Sequence, residues 1–316
     1  MDEAARAIAL AALRRYGRTP LEEALPALVA AADLAYTPLD APEVRPGYAV
    51  HPFAAYDEAL GIDTQVLAVH TPHAIVLAFR GTTNLTDWFT NLQFRAVPPT
   101  LPGAPPEARV HNGFDLATEA VWPELVTWLT AHRGERPIWL TGHSLGAALA
   151  HIAAARLLAV EALVPPDAVS LVTFAAPRVG NDVFAEFLRA RLAPRIHRVV
   201  FADDLVPRLP PAELGYAHVG TVHHWSRDGE CHVHEHDDHH MVDLLRSAAR
   251  SLVPQGDLQT WLGTLGRLRE LASTLRRGHA AGGVTQVVRH LVEAAPDVLR
   301  DHDRAHYTAL FTRPGT

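Results

Sequence analysis

Ser144 lies in the run Gly142-His143-Ser144-Leu145-Gly146, between the apolar stretch "IWLT" and the alanine-rich "AALAHIAAARLL". A serine hydroxyl is a weak nucleophile until a base takes its proton, and a sharp strand-to-helix turn is the local structure that exposes one. Glycines two residues to either side let the strand and the helix approach without Cβ clashes. Ala147, Ala148 and Ala150 allow close helix packing, and the helix N-terminus favours negative charge developing beside Ser144. His143, an immediate neighbour, is expected to project away from Ser144 and pack around the turn.

Such a serine needs a histidine to take its proton and a carboxylate to orient and stabilise that histidine. On a strand-turn-helix scaffold they follow in the order serine, carboxylate, histidine. "RIHRVVFADDLVPRLPP" supplies Asp203 and Asp204 at the end of a later strand. Downstream histidines include His239 and His240 in "DDHHMVDLL", and His302 and His306 in "RDHDRAHYTALF". Residue types alone leave the choice open.

A second chemistry competes in "HVHEHDDHH", residues 232–240, which holds five of the chain's 20 histidines. On a strand, His232, His234 and His236 would share a face, and imidazole donors suit zinc, nickel or copper. No second ligand set with recognisable spacing accompanies them. The stretch therefore reads as a polar strand-like segment leading into a helix, with no metal and no organic cofactor expected.

The elements that must position these residues alternate. "DTQVLAVH" and "AIVLAFRG" read as adjacent strands, "VWPELVTWLTAH" as a helix, and "RPIWLTG" as a strand. Helix "AALAHIAAARLLAV", strand "AVSLVTFAAP", helix "NDVFAEFLRARL" and strand "RIHRVVFADD" follow. This order predicts an α/β fold, a mainly parallel sheet flanked by helices, with extra helices at both ends. "AARAIALAALRRYG" and "LEEALPALVAAADLAY" are the N-terminal pair, expected to cover one side of the sheet. A single domain, 1–316, is expected: a core at about 41–225, a helical insert at about 240–300 and a terminal His-bearing segment, 301–316.

Composition narrows the partners. The chain of 316 residues is 48% hydrophobic, enough for a sizeable core, and its net charge of −7 gives no basic face for nucleic acid. All 28 basic residues are arginine. The lone Cys231 excludes an intramolecular disulfide and, with an acidic start lacking a signal-peptide pattern, suggests a cytoplasmic location. No apolar run approaches the roughly 18 residues of a spanning helix, while peripheral contact with a lipid interface stays open.

Several segments together resemble the class 3, fungal-type lipase family of α/β-hydrolases. They are "AFRGTTNLTDWFTNLQF" (78–94), "VHNGF" (110–114), "LTGHSLGAALA" (140–150), "FAAPRVGN" (174–181), "DDLVPRLPP" (203–211) and "GYAHVG" (215–220). The resemblance implies a serine carboxylic-ester hydrolase acting on acylglycerols or related acyl lipids, with a phospholipase A or short-chain esterase as alternatives. It assigns the acid to Asp204, which precedes the Leu-Val-Pro step, and an oxyanion hole to the N–H groups of Thr82 and Leu145. It prefers His302 as base, through an Asp-His-x4-Tyr spacing from Asp301 to Tyr307, over His239 and then His306. By family position, Leu85, Trp88, Phe89 and Leu92 belong to a lid over the site. Rival readings are a His-rich metal-binding protein and a non-catalytic lipid-binding module.

Overall fold

A computed structural model describes residues 21–38, 42–45, 48–59, 61–82, 84, 95–159, 164–235 and 296–312. The first expected helix, the expected lid residues Leu85, Trp88, Phe89 and Leu92, and residues 240–295 of the expected insert lie outside the described residues. Along the chain come α1 (Leu21–Leu34), β1 (Glu43–Arg45), β2 (Tyr48–Asp57), β3 (Ile62–His70), β4 (Ile75–Phe79), β5 (Ala96–Val97) and β6 (Val110–His111). Then follow α2 (Asn112–His132), β7 (Ile138–His143), α3 (Leu145–Ala159), β8 (Val169–Phe174), α4 (Asp182–Leu192) and β9 (Ile196–Phe201). The hairpin β10 (Thr221–Trp225) and β11 (Cys231–His234), a 3-10 turn (Pro296–His302) and α5 (Arg304–Thr312) complete it.

Among the described residues, nine strands form one sheet in the order β1-β2-β3-β4-β7-β8-β9-β10-β11. The centre, β4-β7-β8-β9-β10, is parallel. Antiparallel strands extend it at both edges. The unbroken apolar run of β4 and the apolar start of β7 arise because the sheet is covered on both faces. Ile75, Leu77, Phe79, Ile138 and Leu140 join a core with α2, α3 and α4. Val76, Ala78 and Trp139 face a second core with α1 and α5. α1 therefore covers one side of the sheet, as its helical apolar spacing predicts.

β2 is not evident in the sequence, because Pro52 interrupts its pattern. β1 pairs only with Tyr48–Val50, so among the described residues Pro52 has a ladder partner on the β3 side alone. β10 is also hidden, its histidines masking a strand that runs parallel to β9. The His-rich stretch begins as β11, an antiparallel edge strand whose four residues are all exposed. No helix among the described residues is long and apolar enough to cross a membrane.

Candidate active site

Three neighbouring parallel strands, β7, β8 and β9, each run at their C-terminal ends into a non-glycine residue with left-handed backbone: Ser144 (φ 60°), Ala175 (φ 54°) and Ala202 (φ 46°). Each such residue costs on the order of 1–3 kcal/mol and persists where the surroundings fix it, commonly at functional sites. Ser144 donates its N–H to Phe174 O (3.0 Å), and its own carbonyl accepts the N–H of Ala147 (3.0 Å) as α3 begins. A Cβ on Gly142 would lie 2.5 Å from Gly146 C, and one on Gly146 would strike the carbonyl of Phe79. The two glycines let strand and helix meet, leaving Ser144 at the N-terminus of α3 where its dipole is positive.

Asp204 stands in the loop after β9, and His302 ends the 3-10 turn before α5. Asp204 and His302, 98 residues apart, are both fully buried. His302 Nδ1 lies 3.0 Å from Asp204 Oδ1 and 2.9 Å from Oδ2. A carboxylate only accepts, so Nδ1 carries the proton and Nε2 is left as the acceptor. Among the described residues, His302 Nε2 and Ser144 Oγ are buried with no hydrogen-bond partner. One is an acceptor and the other a donor. A free acceptor on the imidazole and a free hydroxyl are the two groups that a proton transfer would need.

Asp204 is held by further donors, the N–H of Val206 (2.9 Å) and the phenol of Tyr307 (2.5 Å). Tyr307 in turn accepts the N–H of Phe201 (3.1 Å), which pins the first turn of α5 to the end of β9. Burial, and then the charge of Asp204, raise the Tyr307 phenol well above its ordinary range, so it stays a donor. His143 packs beside the Ser144 turn, against His302 and Tyr307. Its ring centroid lies 4.6 Å from that of His302 and 5.3 Å from that of Tyr307. Burial, with the neighbouring His302 and Arg304 charges, lowers His143 well below the imidazole range, leaving a neutral ring beside the base.

Tyr36, just beyond α1, reaches His143 Nδ1 (3.4 Å). Burial pushes its phenol up to about 12. Arg304 lies over the Tyr36 ring (3.8 Å from its centre) and bonds Asp33 (2.7 Å), tying α5 to α1. Asp33, Tyr36 and Arg227 carried no local sequence signal of a role here, since their partners are remote in the chain. The Asp-His-x4-Tyr spacing did mark Tyr307.

The remaining candidates fall as follows. Leu145 is the first residue of α3 and presents its N–H there. Thr82 follows β4 and Gly81, at which a Cβ would lie 2.6 Å from His143 O. This brings the Thr82 turn against the Ser144 turn. Its hydroxyl engages Asn84, accepting that residue's N–H at 3.2 Å. His306 stacks on Phe201, with ring centres 5.1 Å apart. His239, His240 and His236 lie outside the described residues. His232 and His234 are exposed on β11, and among the described residues no three or more His, Cys, Asp or Glu side chains are grouped to hold a metal.

Comparisons with known proteins bear on the family and the fold. Residues 76–214 match the family described as lipase (class 3). The secreted mono- and diacylglycerol lipase 1 of Fusarium solani is 34% identical over 191 residues, covering 60% of this chain and 54% of that protein. The secreted mono- and diacylglycerol lipase A of Penicillium cyclopium is 32% identical over 180 residues, covering 56% of this chain and 57% of that protein. The chain thus spans about half the length of these relatives. The structure of a mono- and diacylglycerol lipase from Aspergillus oryzae superposes with a TM-score of 0.58 at 26% identity, over 69% of this chain and 87% of that one. Rhizomucor miehei triacylglyceride lipase gives 0.54 at 26% identity, over 66% and 77%.

These relatives correct the expectation of a cytoplasmic location, because the Fusarium and Penicillium proteins are secreted. The lone Cys231 had suggested otherwise, but it excludes only an intramolecular disulfide. A sheet covered on both faces can be stable without one, in any compartment. With the strand-turn-helix serine, the fold and these matches in agreement, the chain belongs to the class 3 lipase family of the α/β-hydrolase superfamily.

Proposed function

We propose that the chain is a serine carboxylic-ester hydrolase that cleaves acylglycerols or related acyl lipids through Ser144, His302 and Asp204. The observation that carries this reading is the buried Asp204–His302 pair set against the Ser144 turn, with Ser144 Oγ and His302 Nε2 both left without a partner among the described residues. The lipase names of its relatives support the substrate class, and their secretion supports an extracellular setting.

Ser144 Oγ attacks the ester carbonyl as His302 Nε2 takes its proton, and Asp204 stabilises the imidazolium. The N–H groups of Thr82 and Leu145 receive the oxyanion, each worth roughly 3 kcal/mol of barrier. The imidazolium then protonates the departing alcohol, and the neutral base activates water to release the acid from Ser144. In this reading the segment holding Leu85, Trp88, Phe89 and Leu92 is assigned to a lid by its family position in the sequence. The whole chain, 1–316, works as one hydrolase domain in this reading.

A fluorophosphonate probe tests it, with the adduct mapped by mass spectrometry. Labelling at Ser144 is expected, together with hydrolysis of 4-nitrophenyl butyrate and emulsified trioleoylglycerol. Ser144→Ala and His302→Ala are each expected to lower kcat by about a thousandfold or more, whereas His239→Ala retains it. An unlabelled Ser144 in active protein would refute the nucleophile, and a dead His239→Ala beside an active His302→Ala would refute the base. Cleavage of short esters alone would reduce the reading to a short-chain esterase, and release of fatty acid from phosphatidylcholine in preference to trioleoylglycerol would make it a phospholipase A.

A further inference from the structure

The neighbours of the acid and the base are joined by a residue from a third segment. Asp301, beside His302, accepts through Oδ2 the backbone N–H of Asp203 (3.1 Å), the residue beside Asp204. The Arg227 guanidinium donates to that same Asp301 oxygen and, through its other nitrogen, to Asp203 Oδ2 (3.2 Å). Arg227 stands in the turn between β10 and β11, which holds it firmly. Ser226 N–H donates to Glu230 O (2.9 Å) and Gly229 N–H to Ser226 O (3.1 Å), while Glu230 N–H reaches Ser226 Oγ (3.1 Å). Gly229 supplies the left-handed backbone (φ 89°) that closes the turn.

We propose that Arg227 and Asp301 are positioning residues for the base: a clasp that holds the turn carrying His302 at a fixed distance from the loop carrying Asp204. The proposal rests on the reading of Ser144, Asp204 and His302 as the catalytic groups. During turnover the imidazole alternates between neutral and cationic, so the His302–Asp204 attraction changes strength at every step. The Arg227–Asp301–Asp203 contacts involve groups that take no part in the proton transfers of the reaction. They hold the turn still while the bonds inside it change, and a base that drifts by an ångström loses its line to Ser144.

The exposures fit this division of labour. Asp301 is 5% exposed, whereas the Arg227 side chain is 56% exposed and reaches in from solvent. A solvent-facing pair contributes little to global stability and is screened by salt. The signature of the clasp therefore lies in kcat and its salt dependence, and not in the unfolding midpoint.

The test measures kcat and KM for 4-nitrophenyl butyrate, per serine labelled to completion by fluorophosphonate, in the full chain. Arg227→Ala is expected to lower kcat about tenfold with KM changed less than about twofold. Arg227→Lys recovers part of the loss. Asp301→Asn keeps an acceptor for the Asp203 N–H and matches Arg227→Ala, while Asp301→Ala falls further. The double variant Arg227→Ala/Asp301→Asn is no worse than either single change, because one interaction is removed twice. Raising salt from about 0.05 to 0.5 M lowers the wild-type kcat toward that of Arg227→Ala and leaves the variant flat.

Unchanged kcat per labelled serine in Arg227→Ala and Asp301→Asn would overturn the proposal. So would a loss confined to the unfolding midpoint or to the fraction of labelled protein. A wild-type protein that neither labels at Ser144 nor cleaves esters would instead overturn the assigned function, a failure distinct from that of the clasp.

Discussion

Replacing Tyr307 by Phe removes one oxygen from a buried site and leaves the ring in place. That oxygen donates to Asp204 Oδ2 (2.5 Å) and accepts the N–H of Phe201 (3.1 Å). A hydrogen bond to an ionised acceptor contributes about 1.5–3 kcal/mol, and a buried N–H without a partner costs about 1–3 kcal/mol. Both effects hang on one atom and relax together, so they do not add in full, and a destabilisation of about 3 kcal/mol is expected from urea unfolding. Asp204 keeps Val206 N–H and His302 but loses one of its fixed bearings. A fall in kcat of about tenfold at unchanged KM follows.

The alkaline limb gives a second reading of the same bond. The Tyr307 phenol is held above its unfolded pKa of about 10. Its contribution is complete below that pH and is lost as pH rises toward the folded value, because only the unfolded chain then ionises. Tyr36, raised to about 12, behaves the same way in both proteins. The gap in stability between wild type and Tyr307→Phe should therefore narrow above about pH 10. Equal stability and equal kcat in the two proteins at pH 8 would refute the account of Asp204. A loss of stability with kcat intact would make Tyr307 a fold anchor only.

Two further outcomes follow from the packing. Gly146→Ala drives a Cβ into the Phe79 carbonyl, which is backbone and cannot yield cheaply. A loss of about 3 kcal/mol or more, or failure to accumulate folded protein, is expected, and a variant within about 1 kcal/mol of wild type would show that strand and helix can part. His151 is fully enclosed in α3, its Nδ1 2.8 Å from Ala147 O, and burial lowers its pKa to about 4. The unfolded chain binds that proton near 6.5, so stability is present above that pH and falls by about 3 kcal/mol as pH drops to about 4. Urea unfolding of wild type and His151→Gln at pH 7 and 4.5 checks this: a wild-type stability that falls no more than the variant's would refute it.

The parts of the site legible in the sequence are those whose cause is local. The turn at Ser144 shows itself because Gly142 and Gly146 stand two residues to either side of it between an apolar run and an alanine-rich one, although the Phe79 carbonyl that Gly146 accommodates is remote in the chain. β4, β7 and β8 show themselves because burial on both faces keeps their runs mostly apolar, with small hydroxyls at Thr141, Ser170 and Thr173 the main exceptions. β2 was hidden by Pro52, whose tolerance depends on how few residues of β1 lie beside it, a fact about another strand. β10 was hidden because His223 and His224 occupy a strand near the sheet edge, where half-exposed imidazoles carry no penalty that a pattern could reveal. "HVHEHDDHH", the most conspicuous chemical stretch, opens as an exposed edge strand for the same reason.

What no local pattern could supply is the distance between Asp204 and His302, since chain order fixes the sequence of catalytic roles and not their geometry. That distance is set by groups whose neighbours in space come from α1, β9, the β10–β11 turn and α5. Asp33 holds Arg304, Tyr36 touches His143, Phe201 and Asp204 share the Tyr307 hydroxyl, and Arg227 bridges Asp203 and Asp301. Each contact is ordinary alone, and each closes a loop of many residues. Their joint effect is to hold left-handed backbone at Ser144 and Ala202 against its tendency to relax. Strain at the strand ends and redundancy around them are thus two sides of one arrangement. Loosening the surrounding contacts should release the geometry of the base well before it unfolds the sheet, whose two cores lie on either side of β4, β7 and β8 and do not depend on the clasp.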